Sequence, residues 1–351
     1  MSVSGAFRAQ AGACAALGSP FMSRLLTLAA ERLGPGTRVG ARIFGWERDM
    51  SARGDAVPLR LASGLHALAL DGRDAGVAAA WADPDALDDA ALWATVAAAL
   101  ERHAAFFLDW LDRAPQTNEV GRSAVVIAAA HWLGGGPLVV SELGASAGLN
   151  LLFDRWRLAT PAGGLGPADA PLTLAPEWQG EPPARALLEV RDRAGVDLHP
   201  RDPVSDRLRL MSHVWPDQPA RLARMAAALD VAAVARPPVA QGDAADWLEA
   251  RLRTRHAGAL HLVFHTVAWQ YFPAATRARC TAALARAGAQ ADADAPLAHL
   301  AMEADGTRDG AALSLTMWPP GATVALGRAD FHGRWLRWAP PSALAEAPSP
   351  H

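Results

Sequence analysis

The stretch LVVSELGASAGLNLL, residues 138–152, decides the fold predicted for this chain. It contains an apolar run that ends near Glu142, a glycine-containing loop from Gly144 to Gly148, and a second apolar run. That order is typical of a strand, a tight turn and a helix. The loop has two possible uses: it presents Ser146 on a nucleophile elbow, or its backbone amides surround a bound cofactor.

Strand-like and helical stretches alternate after this loop. Short apolar runs in LLEVRDRAGVD, PPVAQ and ALHLVFHTVAW are each followed by a stretch with helical spacing. This alternation predicts an α/β fold with a mostly parallel sheet. The closing stretches AALSLTMWPPG and TVALGRADFHGRWLRWAP predict two strands joined by a short turn, and therefore an antiparallel last strand at one side of the sheet.

The beginning of the chain has a different pattern. Apolar residues recur at helical spacing through residues 1–135, with hardly any alternating strand pattern before residue 138. We therefore predict a helical N-terminal cap over residues 1–115 and an α/β domain over residues 116–345. Residues 159–188 are rich in Pro, Gly and Ala, and they predict an inserted loop or hairpin within that domain.

Composition excludes several function classes. The 33 basic and 36 acidic residues leave a net charge of -3 without a basic run, so no nucleic-acid or anionic-membrane partner is expected. No apolar run is long enough to span a membrane. The cysteines Cys14 and Cys280 are isolated, which argues against a disulfide framework or a thiolate metal site and favours the cytoplasm. We expect a small-molecule substrate.

Lysine is absent from the chain, because all 33 basic residues are arginine. Without lysine, a Schiff-base enzyme, a pyridoxal-binding lysine and a phosphate loop that ends in Gly-Lys-Ser/Thr are all excluded.

The hydrolase interpretation requires partners for Ser146. Asp305 or Asp309 followed by His332 has the chain order of an α/β-hydrolase triad. Such an elbow normally follows several strands, whereas the region before this loop is predicted helical. The LGGGP segment at residues 133–137 is also too close to the same strand to fold back as an oxyanion loop. The cofactor interpretation is therefore favoured.

Acidic residues follow three successive predicted strands. Glu142 ends the first strand, Asp197 in GVDLHP ends the second, and Asp243 in QGDAADW ends the third. An acid at the second strand end is placed to accept hydrogen bonds from ribose hydroxyls. This arrangement predicts a nucleoside-type cofactor at the carboxyl edge of the sheet.

The charge of Glu142 favours one cofactor over others. A pyrophosphate at roughly 5 Å would cost about 3 kcal/mol per like-charged pair at an effective dielectric near 20. S-adenosylmethionine carries ammonium and sulfonium groups, which a carboxylate attracts. Ser146 also stands where dinucleotide sites need a glycine for close approach of the pyrophosphate. We therefore predict S-adenosylmethionine as the cofactor.

The motifs ExGxSAGLN, GVDLHP and GDA, with the closing hairpin, resemble the Rossmann-like class I S-adenosylmethionine-dependent methyltransferases over roughly residues 116–340. The whole chain also resembles an uncharacterised bacterial family of unknown function, through the motifs QTNEVGR, GASAGLN, WPDQPARL, VFHTVAWQY and HGRW. The methyltransferase resemblance implies that Glu142 and the loop hold the methionine end, Asp197 the ribose and Asp243 the adenine amine. The predicted cofactor-binding residues are Glu142, Gly144, Ser146, Gly148, Asn150, Asp197 and Asp243.

The reacting residues are predicted from position. His265 lies just past the fourth predicted strand, where a histidine can accept a proton from an attacking atom, or where it simply fills the core. The same choice between function and packing applies to the remaining candidates. The predicted catalytic residues are His265, Tyr271 and Asn118, and the predicted substrate-binding residues are Glu119, Arg122 and Trp269, with no metal site.

The sequence thus predicts an S-adenosylmethionine-dependent methyltransferase acting on a small molecule. Two alternatives stay open: a serine hydrolase that uses Ser146, and a non-catalytic metabolite- or nucleotide-binding protein of the same fold.

Overall fold

The computed structural model describes residues 2–307 and 309–342 of the chain. Its contacts divide it into two compact units: the first reaches to Thr117 and includes Ser205–Ala226, and the second contains Asn118–Val204 and the chain from Ala227 onward. The domain boundary near residue 115 stays a prediction, and the predicted domain end at residue 345 lies outside the described residues.

The first unit is built from helices, because its apolar residues repeat at helical spacing and capping side chains precede most of them. Ser19, for example, accepts a hydrogen bond from the Met22 N–H at the start of the second helix. Buried side chains such as Phe7, Leu65 and Phe107 form the core of this unit. Its helices are α1 (Val3–Ala16), α2 (Pro20–Arg32), α3 (Arg38–Phe44), α4 (Val57–Leu70), α5 (Ala75–Ala82), α6 (Asp89–Arg102) and α7 (Ala104–Leu111).

Residues 205–226 belong to the first unit although they follow much of the second in sequence. The Ser19 hydroxyl and the Phe21 N–H both donate to the carboxylate of Asp217, at 2.6 and 3.0 Å. Asp217 therefore ties this segment to the beginning of α2. The segment contains one helix that ends before Pro216 and another that begins after it.

The second unit contains a nine-stranded sheet in the order β5-β12-β11-β10-β9-β8-β1-β6-β7. Strands from β7 to β9 run parallel, and β10, β11 and β12 continue as antiparallel neighbours. The predicted mixed α/β fold with a mostly parallel sheet is confirmed. The strands of this sheet are β1 (Gly136–Leu143), β5 (Glu177–Gln179), β6 (Leu188–Asp197), β7 (Val239–Gln241), β8 (Leu260–Thr266), β9 (Leu297–Glu303), β10 (Ala311–Trp318), β11 (Ala322–Ala329) and β12 (Trp335–Trp338).

The remaining helices follow the predicted alternation. They are α8 (Ser123–Trp132), α9 (Arg207–Ser212), α10 (Pro219–Ala235), α11 (Ala244–Arg251) and α12 (Ala274–Gly288). The predicted insertion contains β2 (Arg157–Thr160), β3 (Gly163–Leu165) and β4 (Thr173–Leu174), which form a small separate sheet, while β5 joins β12 at the edge of the large sheet.

The α-helix predicted after the glycine loop is not present. Asn150–Arg155 instead forms a 3₁₀ turn, and the chain extends into β2 directly afterwards. The Leu151 N–H donates to the Gly148 carbonyl three residues earlier, while Asn118 Oδ1 accepts from the Leu149 N–H. The N–H groups at the start of this turn are therefore satisfied by a 3₁₀-type bond and by the Asn118 side chain. Because β2 begins at Arg157, too few residues remain for an α-helix.

The two faces of the large sheet are packed differently. Glu142 is paired in register with Phe264, so both side chains project from one face, where Phe153 meets Phe264 edge to face at 6.5 Å. His265 projects from the opposite face, which packs against apolar residues of α11 and α12. The faces place Glu142 and His265 on opposite sides of the sheet.

No helix in the described part of the chain is both long enough and apolar enough to cross a membrane.

Candidate functional site

The glycine loop after β1 adopts a left-handed backbone at three positions. Gly144, Ser146 and Gly148 have φ angles of +75°, +53° and +70°. A Cβ atom on Gly144 would lie 2.6 Å from the Ala268 side chain, and one on Gly148 would lie 2.9 Å from Pro237. Packing and backbone angle therefore both require glycine at positions 144 and 148, whether or not a ligand binds.

Asp197 ends β6 and faces this loop. Its carboxylate accepts hydrogen bonds from the Ser146 N–H and the His199 N–H, each at 2.9 Å. The side chain is half-buried. A carboxylate has about four acceptor positions, so these two bonds hold the loop and leave acceptor capacity toward the carboxyl edge of the sheet.

Glu142 is buried at the end of β1, with 1% of its surface exposed. One carboxyl oxygen, Oε2, has no hydrogen-bond partner. Burial raises the pKa of Glu142 well above its usual value, the hydrogen bond from Asn150 lowers it, and the nearby negative charge of Asp197 raises it further. Asn150 is itself oriented by the Ser123 hydroxyl, which donates to Asn150 Oδ1 at 2.7 Å.

The predicted residues before α8 contact the backbone. Asn118 holds Leu149, and Glu119 Oε1 accepts from the Gly121 N–H at 3.0 Å. The Arg122 guanidinium donates to two carbonyl oxygens, those of Thr266 and Phe331, at 2.9 Å each. Asn118 thus supports the glycine loop, and Arg122 connects the end of β8 to the turn before β12.

Asp243 follows β7, as predicted, and caps α11. Its Oδ1 accepts from the Ala245 and Asp246 N–H groups, and its Oδ2 accepts from the Thr276 hydroxyl at 3.0 Å. Burial raises the pKa of Asp243, but these hydrogen bonds outweigh it and hold the pKa below its ordinary value. Capping of α11 and the hydrogen bond from α12 are enough to explain why an acidic residue stands at position 243.

Ser146 lacks the surroundings of a catalytic serine. Its hydroxyl is buried and has no hydrogen-bond partner, whereas a nucleophilic serine needs a base within hydrogen-bond reach. The acids of the hypothetical triad are engaged elsewhere: Asp305 pairs with Arg328 at 2.7 Å and Asp309 with Arg337 at 2.6 Å. This geometry does not favour the hydrolase alternative.

Ser146→Ala is therefore expected to leave the free energy of unfolding within about 1 kcal/mol of wild type, because it removes a buried hydroxyl that makes no bond. Urea denaturation measures this change. Covalent labelling of wild-type Ser146 by a fluorophosphonate would show that Ser146 is a nucleophile and would restore the hydrolase alternative.

A second group of polar side chains lies at the carboxyl ends of β8 and β9. His265 Nδ1 lies 2.7 Å from Glu303 Oε1, and the same oxygen accepts from the Ala268 and Trp269 N–H groups at 2.9 and 3.1 Å. His265 is 2% exposed, and its Nε2 has no hydrogen-bond partner. This is the geometry of a carboxylate that orients a histidine.

Aromatic residues surround this pair. The Trp269 ring stacks on His265 with centroids 4.8 Å apart and an interplanar angle of 14°, and His299 lies 5.0 Å from His265. Tyr271 lies in the same turn but is 65% exposed. The structure thus brings Trp269 to His265, while it leaves Tyr271 at the surface.

Sequence reasoning missed Glu303 and His299. The available signal was parity, since both residues occupy alternate positions of PLAHLAMEA, the stretch that contains β9, and so share a face. Within residues 2–307 and 309–342, no group of three His, Cys, Asp or Glu side chains is arranged to hold a metal ion.

Comparison with known protein families shows which family the chain belongs to. A family model described as "Uncharacterized protein conserved in bacteria (DUF2332)" matches residues 4–338. The chain belongs to DUF2332. The searches of curated proteins and of solved structures each found no match. The resemblance to an uncharacterised bacterial family is therefore confirmed, and the DUF2332 match covers both compact units without indicating a reaction.

Proposed function

We propose that this protein is an S-adenosylmethionine-dependent methyltransferase of Rossmann-like fold that acts on a small molecule. The observation that carries the proposal is the buried Oε2 atom of Glu142, which has no partner and lies at the end of β1 beside the left-handed glycine loop. A buried carboxyl oxygen without a partner is costly, and a ligand that donates to it removes that cost.

The strand order supports a ligand at this place. From β7 through β6, β1 and β8 to β9, the strands are parallel and the chain order reverses direction between β1 and β8. Open α/β sheets bind ligands in the crevice outside the carboxyl ends of the strands at such a reversal. The glycine loop follows β1 there, and Asp197 follows the adjacent β6.

The charges favour a cationic ligand over a phosphate. After burial, the negative charge of Asp197 raises the pKa of Glu142, while the Arg122 guanidinium lowers it. A phosphate beside the two carboxylates would add repulsion, and an ammonium group would reduce it. Glu142 and the loop would hold the amino-acid end, and Asp197 would accept from the ribose hydroxyls. The bound donor supplies an electrophilic methyl group.

The test is heat denaturation of the full chain with S-adenosylmethionine, S-adenosylhomocysteine, NAD and ATP in separate samples. A ligand at 100 times its dissociation constant adds about 2.7 kcal/mol to the stability of the folded state. We expect stabilisation by the two S-adenosyl compounds and none by NAD or ATP. Stabilisation by NAD or ATP alone, or by no compound at millimolar concentration, would refute the proposal.

A further inference from the structure

A cavity lies at the amino ends of β8 and β9 in the second unit. Because β1, β8 and β9 are parallel, this is the edge of the sheet opposite the glycine loop. We propose that the cavity binds a short aliphatic monocarboxylate such as formate or acetate. The inference is independent of the proposed function, because none of the lining residues belongs to the proposed methyl-donor site. The polar lining consists of Thr254, Arg255, His256, His261 and Gln290.

A chain of hydrogen bonds determines which nitrogen of His261 carries the proton. Arg251 Nε donates to the Ser141 hydroxyl oxygen at 3.1 Å, and the same oxygen lies 2.8 Å from His261 Nε2. Ser141 is fully buried, and in the described part of the chain no other side chain bonds to its hydroxyl. Since an arginine cannot accept a hydrogen bond, Ser141 donates to Nε2, and the proton of the neutral ring is on Nδ1.

The two histidines of the cavity have ring nitrogens without partners. His261 is 5% exposed, yet no described side chain or backbone group accepts from its Nδ1–H. Nε2 of His256 is also buried, and within the described residues it has no hydrogen-bond partner. The two rings meet edge to face, with centroids 5.1 Å apart. Buried polar atoms are normally paired, and a ligand oxygen in the cavity provides the acceptor that His261 lacks.

The charges around the histidines favour a negative ligand. Burial, followed by the positive charge of Arg251, lowers the pKa of His261 to about 3. The same two causes lower the pKa of His256, while Asp192 raises both pKa values and is the smallest of the named influences. Both rings are therefore neutral at physiological pH, in a positive potential that attracts an anion.

Arg255 supplies the guanidinium that pairs with the ligand carboxylate. It already forms an ion pair with Asp292, but the two side chains are 49% and 56% exposed. Ion pairs so accessible to water contribute little to stability, so a carboxylate held in the cavity can take the place of Asp292. A planar carboxylate also matches the planar fork of N–H donors that a guanidinium presents.

The size of the cavity limits the ligand. Its volume is about 30 Å³. A water molecule needs roughly 10 to 15 Å³, so the space suits the two oxygens of a carboxylate with a short alkyl group and is too small for a nucleotide. The remaining wall is apolar and faces the alkyl group; it includes Leu252, Ala287 and Leu297.

The test titrates the full chain with sodium acetate at constant ionic strength, which sodium chloride maintains. A site that binds any small anion equally well then shows no response. Acetamide is titrated separately, because it has the shape of acetate without the charge. NMR of the ring signals in histidine-labelled protein reports binding, and the His256 signal is identified by its loss in His256→Gln.

We expect the signals of His256 and His261 to shift saturably with acetate and to stay in place with acetamide. Arg255→Gln removes the guanidinium and should weaken acetate binding about tenfold, or about 1.4 kcal/mol. Asp292→Asn removes the competing carboxylate while its Oδ1 still accepts from the backbone of the turn, so it should strengthen binding about threefold.

Arg253→Gln is the matched control, since Arg253 is exposed two residues before Arg255 and does not line the cavity. We expect its affinity for acetate to stay within about twofold of wild type. Absence of a saturable response to acetate would show that the cavity holds only water and would overturn the proposal. An equal response to acetamide, or equal losses in Arg253→Gln and Arg255→Gln, would overturn recognition of a carboxylate by Arg255.

Discussion

Replacing Asp197 by alanine is expected to weaken the binding of S-adenosylhomocysteine by about 10- to 100-fold. Asp197 ends β6 beside the glycine loop, where its carboxylate retains acceptor capacity for the two ribose hydroxyls. Hydrogen bonds to a charged acceptor contribute roughly 1.5 to 3 kcal/mol, which converts to this loss of affinity. Calorimetric titration at one salt concentration measures the change.

The same substitution should also lower stability. Asp197 accepts from the Ser146 and His199 N–H groups, so its removal leaves two backbone donors without their acceptor and is expected to cost about 1 to 3 kcal/mol of unfolding free energy. The sequence alone predicts little effect on folding, because a strand-end acid at an open crevice has no core role. Affinity must therefore be measured well below the melting temperature of the variant.

Asp192→Ala is the matched control, since Asp192 lies on the same strand and forms an ion pair with Arg251 at the surface. We expect its affinity to change by less than about threefold, under ~0.7 kcal/mol. Asp154 is a poorer control because Arg193 binds it through two hydrogen bonds of 2.7 and 2.8 Å. Equal affinities of the Asp197 and Asp192 variants would contradict the placement of the ribose.

The affinity for S-adenosylmethionine is expected to rise with pH, by up to about tenfold per pH unit, through ionisation of Glu142. Burial raises the pKa of Glu142, so the carboxyl group is neutral over a range in which an exposed glutamate is ionised. A bound ammonium group favours the ionised form, so binding releases a proton below the raised pKa. Glu142→Gln should bind more weakly and show a flatter pH profile.

The stability of the unliganded protein should change in the opposite direction. Because the folded-state pKa of Glu142 is raised, its contribution is fully present below the ordinary glutamate pKa of about 4.3 and is lost as pH rises through the folded-state pKa. Wild type should therefore lose stability relative to Glu142→Gln over that window, by up to about 1.4 kcal/mol per pH unit. Chemical denaturation at several pH values measures this difference. Parallel pH profiles of the two proteins, in binding and in stability, would refute the role of Glu142.

Most elements of the fold are predictable from the sequence, because their signals are local. Periods of two and 3.6 residues reveal the strands and helices, and Pro216 reveals the break between α9 and α10. Glycine and acidic residues at strand ends likewise indicate Glu142, Asp197 and the loop between them. The 3₁₀ turn at Asn150–Arg155 is different, since Asn118, more than thirty residues earlier, accepts a hydrogen bond from the N–H of Leu149, the residue that precedes the turn.

The candidate site depends on contacts between distant parts of the chain, and these only the tertiary structure decided. Parallel register placed Glu142 and His265 on opposite faces, and it joined His265 to Glu303, which is 38 positions later in the sequence. The hydrogen bond from Thr276 tied Asp243 to α12. Residue type shows that a side chain can accept or donate a proton, but burial and partners determine whether it does, and both arise only when the strands pair and the helices pack.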